Sequence, residues 1–142
     1  MLSVLCISAC NKDKNDKQYS TWYVNGEKFT TNDIYVDGGK ATHYFGHKSP
    51  TNGFGLHFNL GYFPMEGNFT MDCNIQNPTY ACLNIQYDSI SYFNDYSDNT
   101  FLTAKPNDGK AQYILDSTWL YKAYEMQEGE DSILIYGIFN EP

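Results

Sequence analysis

Three histidines are the first residues in this chain that suggest metal chemistry. His43 and His47 lie four residues apart, and His57 follows in the next apolar run. On one strand, His43 and His47 would share a face but lie about 13 Å apart, which is too far for one metal ion. Alternation places His57 on the outward side of its strand. These histidines are therefore interpreted as surface side chains, and no cofactor is predicted.

An acidic segment, NDYSDNT, is the second candidate for chemistry. Asp95 and Asp98 concentrate oxygen ligands there, as calcium sites do. Their spacing does not fit the calcium-loop pattern, and acidic turns between strands are common. The prediction is no metal site, with Asp95 and Asp98 as the alternative. The serines lack a G-x-S-x-G setting and no cysteine–histidine pair is marked, so a non-enzymatic protein is predicted.

Aromatic side chains are more frequent than one small core should need. Phe, Trp and Tyr make up 17% of the residues, and there are 13 tyrosines. Exposed aromatic rings flanked by Asn and Asp can stack on sugar rings and bond their hydroxyls. The alternative is that the rings are core residues, because aromatics are favoured in strands. The predicted ligand-binding residues are Tyr92, Tyr96, Trp119 and Tyr121.

Length and charge restrict the classes of protein that fit the chain. With 142 residues it has room for one domain. From Gln18 onward it carries 15 acidic side chains against six lysines, a net charge of −9, and it contains no arginine. Nucleic acid is therefore excluded as a partner.

The first ten residues resemble the export and anchoring signal of a bacterial lipoprotein. Residues 1–9 are too short for a span of about 20 residues but suit the apolar region of a secretory signal. The run Ile7-Ser8-Ala9-Cys10 resembles a lipobox, which implies that Cys10 is acylated. The positively charged leader is absent, so we expect the true start to lie upstream. The alternative, a short buried strand, is disfavoured because the following polar residues cannot continue it.

This resemblance implies three parts: a signal peptide over 1–9, a lipidated cysteine with a flexible tether over 10–18, and a single β domain over 19–142. The lipid would anchor the protein in a membrane. The Lys and Asp residues after Cys10 are similar to the signal that sends Bacteroides-type lipoproteins to the exterior of the outer membrane. Surface exposure is therefore expected, with a periplasm-facing anchor as the alternative.

Two cysteines remain for the body once Cys6 leaves with the signal and Cys10 is acylated. Cys73 and Cys82 flank a turn signal, Asn77-Pro78. On neighbouring strands they could form a disulfide that closes a small loop. Two free core thiols are the alternative, because strand geometry is often unsuitable for a disulfide.

Short alternating runs and turn signals fill the rest of the chain. Asn25-Gly26 predicts a hairpin, and Phe54, Leu56, Phe58 and Leu60 predict one buried face of a strand. The C-terminal region predicts two strands, 119–126 and 132–139, with a helix beginning near Asp116 as the alternative. The prediction is an all-β antiparallel sandwich of about eight strands, with a calycin-like closed barrel as the alternative.

Three scattered motifs resemble small lipoproteins of Bacteroides-type bacteria that have no assigned activity. They are Trp22 with Asn25-Gly26 and Phe29, P-x-x-G-x-F at Pro64, and I-x-G-x-F at Ile135. The resemblance implies an all-β domain and no catalytic residue. Three Asp-Ser tripeptides are similar to the O-glycosylation acceptors of these bacteria, which implies modification at one or more of Ser89, Ser117 and Ser132.

The expected function is a membrane-anchored binding module for an extracellular glycan or peptide, without enzymatic activity. One alternative is an accessory subunit of a cell-envelope assembly, which should present a strand edge or an apolar patch. A second alternative is a barrel that holds a small apolar molecule in a cavity.

Overall fold

The chain forms β-strands throughout the residues that a computed structural model describes, which are 18–37, 42–73, 77–94, 100–122 and 131–142. Alternating aromatic, β-branched and polar residues, separated by turn signals, account for this. These ranges contain no helix, and so none that is long and apolar enough to cross a membrane. The strands are β1 (Ser20–Val24), β2 (Glu27–Thr31), β3 (Ile34–Asp37), β4 (Thr42–Ser49), β5 (Asn52–Phe58), β6 (Gly67–Met71), β7 (Tyr80–Tyr87), β8 (Ile90–Phe93), β9 (Phe101–Asn107), β10 (Lys110–Lys122) and β11 (Ser132–Asn140).

Three two-residue turns make hairpins. Both residues of each turn have positive φ: 50° and 85° at Asn25-Gly26, 49° and 69° at Asp88-Ser89, 52° and 80° at Asp108-Gly109. Such backbone angles match the twist of paired strands. The hairpin predicted at Asn25-Gly26 is confirmed. The segment AKPNDGK belongs to the β9–β10 hairpin, and Asp88-Ser89 forms the turn between β7 and β8.

Five strands close into a ring in which β10, β9, β6, β7 and β8 pair in turn and β8 returns to β10. β11, β1 and β2 extend the sheet from β10, and β5, β4 and β3 extend it from β7. Among the described strands only β6 and β7 pair in parallel, at Thr70–Tyr80 and Met71–Ala81. The predicted all-β class is confirmed, and the closed ring agrees with the closed-barrel alternative.

Large side chains fill the interior of the fold. Phe54, Leu56 and Phe58 are buried, as their alternation predicts, whereas Leu60 lies beyond the end of β5 and is half-buried against the core. The Trp22 ring centroid lies 5.6 Å from that of Phe29 and 5.3 Å from that of Phe54. Each such side chain contributes about 1.5–3 kcal/mol when buried. The largest fully buried residues are Trp22, Tyr113, Phe58, Phe139, Leu56, Met71, Leu83, Ile85, Leu102, Leu120 and Ile135.

Gly137 explains why the last strand carries the motif I-x-G-x-F. It pairs with Trp22 of β1 on one side and Leu115 of β10 on the other. A Cβ atom at this position would lie 2.7 Å from the Thr21 carbonyl oxygen and 2.8 Å from the Trp22 Cα. A side chain here would therefore push β1 away from β11.

The C-terminal region is a hairpin of β10 and β11. Thr118 lies opposite Ile135, and Leu120 lies opposite Ile133. The predicted pairing is confirmed, and the alternative of a helix is wrong as far as Lys122. The turn predicted between these strands, with Tyr124, lies outside the described residues.

A disulfide joins Cys73 to Cys82, with 4.3 Å between their Cα atoms. The predicted bridge is confirmed, and the alternative of two free thiols is wrong. Cys73 follows β6 and Cys82 lies within β7. Because β6 and β7 share only two register positions, the disulfide adds a covalent link at the parallel contact of the ring.

Candidate binding surface

Six strands present one continuous outward side, which we call the outer face. They lie in the order β2, β1, β11, β10, β9 and β6. Because side chains alternate along each strand, partners in register share a side of the sheet. Tyr23 lies opposite Tyr136, and Trp119 lies opposite Leu134. The first of these pairs brings together two aromatic residues that are more than 100 positions apart in the chain.

The outer face exposes large apolar side chains. The exposed fraction is 50% for Phe101, 46% for Trp119, 39% for Ile138 and 37% for Tyr136. The Tyr23 ring stacks on Tyr136 with 4.6 Å between centroids and an interplanar angle of 10°. Water therefore contacts a set of rings held by a rigid sheet, which is the arrangement that ligand stacking needs.

A β-bulge in β10 interrupts the outer face. Leu115 pairs with Gly137 and Thr118 with Ile135, so Asp116 and Ser117 together oppose one residue of β11, Tyr136. The extra residue changes the alternation, and both Asp116 and Ser117 are exposed. Bulges re-aim side chains in this way and are common beside binding sites.

An open groove of about 420 Å³ lies beside the bulge. This volume falls within the range of about 300–1,000 Å³ that small-molecule sites occupy. Thr103 Oγ1 donates a hydrogen bond to Asn68 Oδ1 at 3.0 Å across β9 and β6. The Thr100 and Thr118 hydroxyls bond at 2.9 Å. The lining residues are Asn68, Thr100, Phe101, Thr103, Asp116 and Ser117.

The four predicted ligand-binding residues do not form one surface. Trp119 is exposed on the outer face, and Tyr121 is half-buried two residues further along β10. Tyr92 has to be removed from the set, because it is only 7% exposed and belongs to the core. Burial raises the pKa of its hydroxyl, and the nearby Asp131 carboxylate raises it further. Tyr96 lies outside the described residues.

The three serines predicted as glycosylation acceptors differ in position. Ser89 is exposed in the β7–β8 turn, and Ser117 is exposed in the bulge. Ser132 is half-buried at the start of β11. Ser117 also lines the groove, so a sugar attached there would fill the space that a bound ligand needs. Modification at these serines stays a prediction.

Within the described ranges, no three His, Cys, Asp or Glu side chains lie close enough to hold a metal ion. His47 stacks on Tyr35 at 5.5 Å and bonds its hydroxyl through Nε2 at 3.0 Å. His57 is half-buried in β5, and nothing is described of the His43 side chain. The alternative metal ligands Asp95 and Asp98 lie outside the described residues, as does Cys10.

Sequence reasoning missed Phe101, Tyr23, Tyr136 and the bulge. The signal for the bulge is present in the sequence. In the first half of the strand the alternating residues Tyr113 and Leu115 have odd numbers, whereas in the second half Thr118 and Leu120 have even numbers. Two polar residues lie between the two halves. Such a change of phase within one strand indicates an inserted residue. Comparison of the chain with known protein families, curated proteins and solved structures found no match.

Proposed function

We propose that the protein is a membrane-anchored, non-enzymatic module that binds an extracellular glycan on its outer face. The observation that carries this proposal is the exposure of two rings on the outer face, of which Phe101 lines the groove and Trp119 lies two residues beyond the bulge residue Ser117 on β10. Rings offer flat apolar surfaces to the C–H faces of sugars, while the polar groove offers partners for hydroxyl groups.

The filled interior favours the outer face over a cavity as the binding surface. Phe58 and Tyr113, whose ring centroids lie 4.8 Å apart, are among the fully buried side chains. A barrel that holds a small apolar molecule needs an enclosed space, and large side chains occupy the interior here. The apolar groups that remain available to a ligand are those on the surface.

The position of the N-terminal end of the domain suits an anchored binding module. Gln18 Nε2 donates to the Asn107 carbonyl oxygen at 3.3 Å, so the chain enters the domain beside the β9–β10 turn. From there β10 runs away from the entry point, and Trp119 lies about 30 Å along it from Lys110 at about 3.3 Å per residue. A tether that ends at a lipidated Cys10 would therefore join the domain at the end of β10 that is far from Trp119.

A glycan array tests the binding proposal. We expect the protein to retain one or more glycans, and we expect Trp119→Ala and Phe101→Ala to reduce the signal at least about tenfold. Tyr62→Ala is the control, because Tyr62 is 65% exposed and does not line the groove. Loss of binding in Tyr62→Ala alone, or no retained glycan, would contradict the proposal.

Lipid labelling tests the anchor separately. Cells given a fatty-acid analogue should label the wild-type chain and leave Cys10→Ala unlabelled, because the thiol is the proposed acceptor. Protease or antibody accessibility on intact cells then separates an exterior position from a periplasm-facing one. Equal labelling of wild type and Cys10→Ala would reject the proposed anchor and would leave the proposal of glycan binding unchanged.

An accessory subunit of an envelope assembly is the second candidate. The observation in its favour is an aliphatic pair on the outer face. Ile138 is 39% exposed and pairs with the half-buried Ile114. Aliphatic side chains suit a protein or peptide partner better than a sugar. If this candidate is correct, Ile138→Asp should abolish capture of the partner in crosslinked cells while the glycan array stays empty.

A further inference from the structure

The polar side chains that line the groove face outward, and each can be assigned as a hydrogen-bond donor or acceptor. Asn68 Oδ1 accepts the bond from Thr103, so the Asn68 amide nitrogen is the group left to donate. Within the described part of the chain, the Asp116 carboxylate has no hydrogen bond or ion pair. The groove therefore presents one amide donor and one carboxylate acceptor, together with the hydroxyls of Thr103 and Ser117.

These groups fit a sugar ring in particular. Each hydroxyl of a sugar both donates and accepts, so the hydroxyls of one ring can bond a carboxylate on one side of the groove and an amide on the other. The exposed Phe101 ring lines the same groove and offers an apolar surface to the C–H side of a sugar. A purely apolar ligand would leave the Asp116 carboxylate desolvated without a partner, which is costly.

Charge selects between neutral and acidic sugars. Asp116 is the one charged side chain among the six lining residues. The nearest cation along β9 on this side is Lys105, two residues beyond Thr103, and it does not line the groove. A carboxylate on the ligand would therefore meet Asp116 with no cation among the described lining residues to offset the repulsion.

We infer that this groove is a subsite for one neutral pyranose ring, with Phe101 under the ring and with Asp116 and Asn68, on strands either side of β9, bonded to different hydroxyls of the ring. The inference rests on the proposed glycan binding and adds to it a sugar class and two specificity-determining residues. Acidic sugars are excluded by Asp116 rather than by the shape of the groove.

The test compares matched sugars by saturation-transfer NMR on the unmodified protein. The pairs are glucose with glucuronate and galactose with galacturonate, which differ only at the carboxylate. We expect at least one neutral sugar to bind with a dissociation constant in the millimolar range, about tenfold or more tighter than its acidic partner. Asp116→Asn should reduce that ratio to below about threefold, because the repulsion is removed.

The control for charge is Asp33→Asn, which removes one negative charge at an exposed residue outside the groove. It should leave the neutral-to-acidic ratio unchanged. Asn68→Ala should weaken the neutral sugar severalfold with little effect on the ratio, because it removes a donor and no charge. A ratio near one in the wild type, or one unaffected by Asp116→Asn, overturns the inference.

The subsite and the proposed function fail in different ways. An array that retains no glycan, together with no saturation transfer to any of the four sugars, rejects both. Array binding that depends on Trp119 but is unaffected by Asp116→Asn and Asn68→Ala rejects the subsite alone. Mass spectrometry of Ser117 establishes that the protein used is unmodified, so an attached sugar cannot be the cause of weak binding.

Discussion

The two sides of β10 carry similar residues that differ in their exposure to solvent. On the inner side, Tyr113 and Leu120 are fully buried and pack within the core. On the outer side, Trp119 is 46% exposed and Tyr121 half-buried. Alternation separates Leu120 from Trp119 and Tyr121, and the bulge at Asp116 and Ser117 puts Tyr113 and Trp119 on opposite sides, so residue type does not indicate whether an aromatic residue stabilises the fold or contacts a ligand. Position relative to the bulge and the register decides it.

The two tryptophans of the chain test this comparison with the largest expected effect. Trp22 is completely buried, so Trp22→Ala should reduce the free energy of unfolding by about 3–5 kcal/mol. Trp119→Ala should cost less than about 1 kcal/mol, since about half of its side chain is exposed. Urea denaturation measures both. Equal losses would show that the outer face is part of the stabilising core; Trp22→Phe serves if Trp22→Ala does not fold.

Removal of the disulfide tests how much closure of the ring contributes to stability. Replacing Cys73 and Cys82 together by serine should reduce the free energy of unfolding by about 2–3 kcal/mol, because the bridge closes a short loop. The outer face lies on other strand pairs, so glycan affinity should change less than about threefold below the unfolding transition. A large loss of affinity in the folded double variant would show that ring closure and the outer face are coupled.

Alkaline pH provides a third test, of the inner face. Burial raises the pKa of Tyr113, so its hydroxyl stays protonated in the folded protein above pH 10 while the unfolded chain loses that proton. The contribution of this group to the free energy of unfolding is fully present below pH 10 and falls by about 1.4 kcal/mol per pH unit above it. Tyr113→Phe should show a correspondingly shallower loss between pH 10 and 12.

The turn between β7 and β8 gives the smallest effect. Ser89 has a φ of 69°, a conformation that a residue with a Cβ adopts at a cost of about 1 kcal/mol. Ser89→Gly should therefore raise the free energy of unfolding by about 0.5–1 kcal/mol, measured by thermal denaturation, and should not affect the outer face. Destabilisation instead would indicate that contacts of the Ser89 side chain outweigh the backbone strain.

Local patterns predicted much of the fold. The Asn25-Gly26 turn, the buried face of β5 and the pairing of β10 with β11 follow from alternation and turn chemistry, which act over a few residues. The closed ring could not be derived from these local patterns, because it depends on the short parallel contact of β6 with β7. Pairings between distant segments carry little local signal in a sequence.

The candidate site was only partly predictable for the same reason. Trp119 was identified from its type and its neighbours, whereas Tyr92, of similar appearance in the sequence, lies in the core. Phe101 and Asp116 come together only because β9 and β10 pair and the bulge re-aims the chain. The side on which each aromatic residue lies required the register, which a single sequence does not specify.

The most direct test of the outer face as the binding surface is the fluorescence of Trp119 during titration with a glycan retained on the array. Because Trp22 is buried, Trp119 is the tryptophan that a surface ligand and iodide can reach. The account predicts a saturable change in emission and protection from iodide quenching, both lost in Trp119→Phe while Trp22 still emits. Binding that saturates without changing the emission or quenching of Trp119 would contradict it.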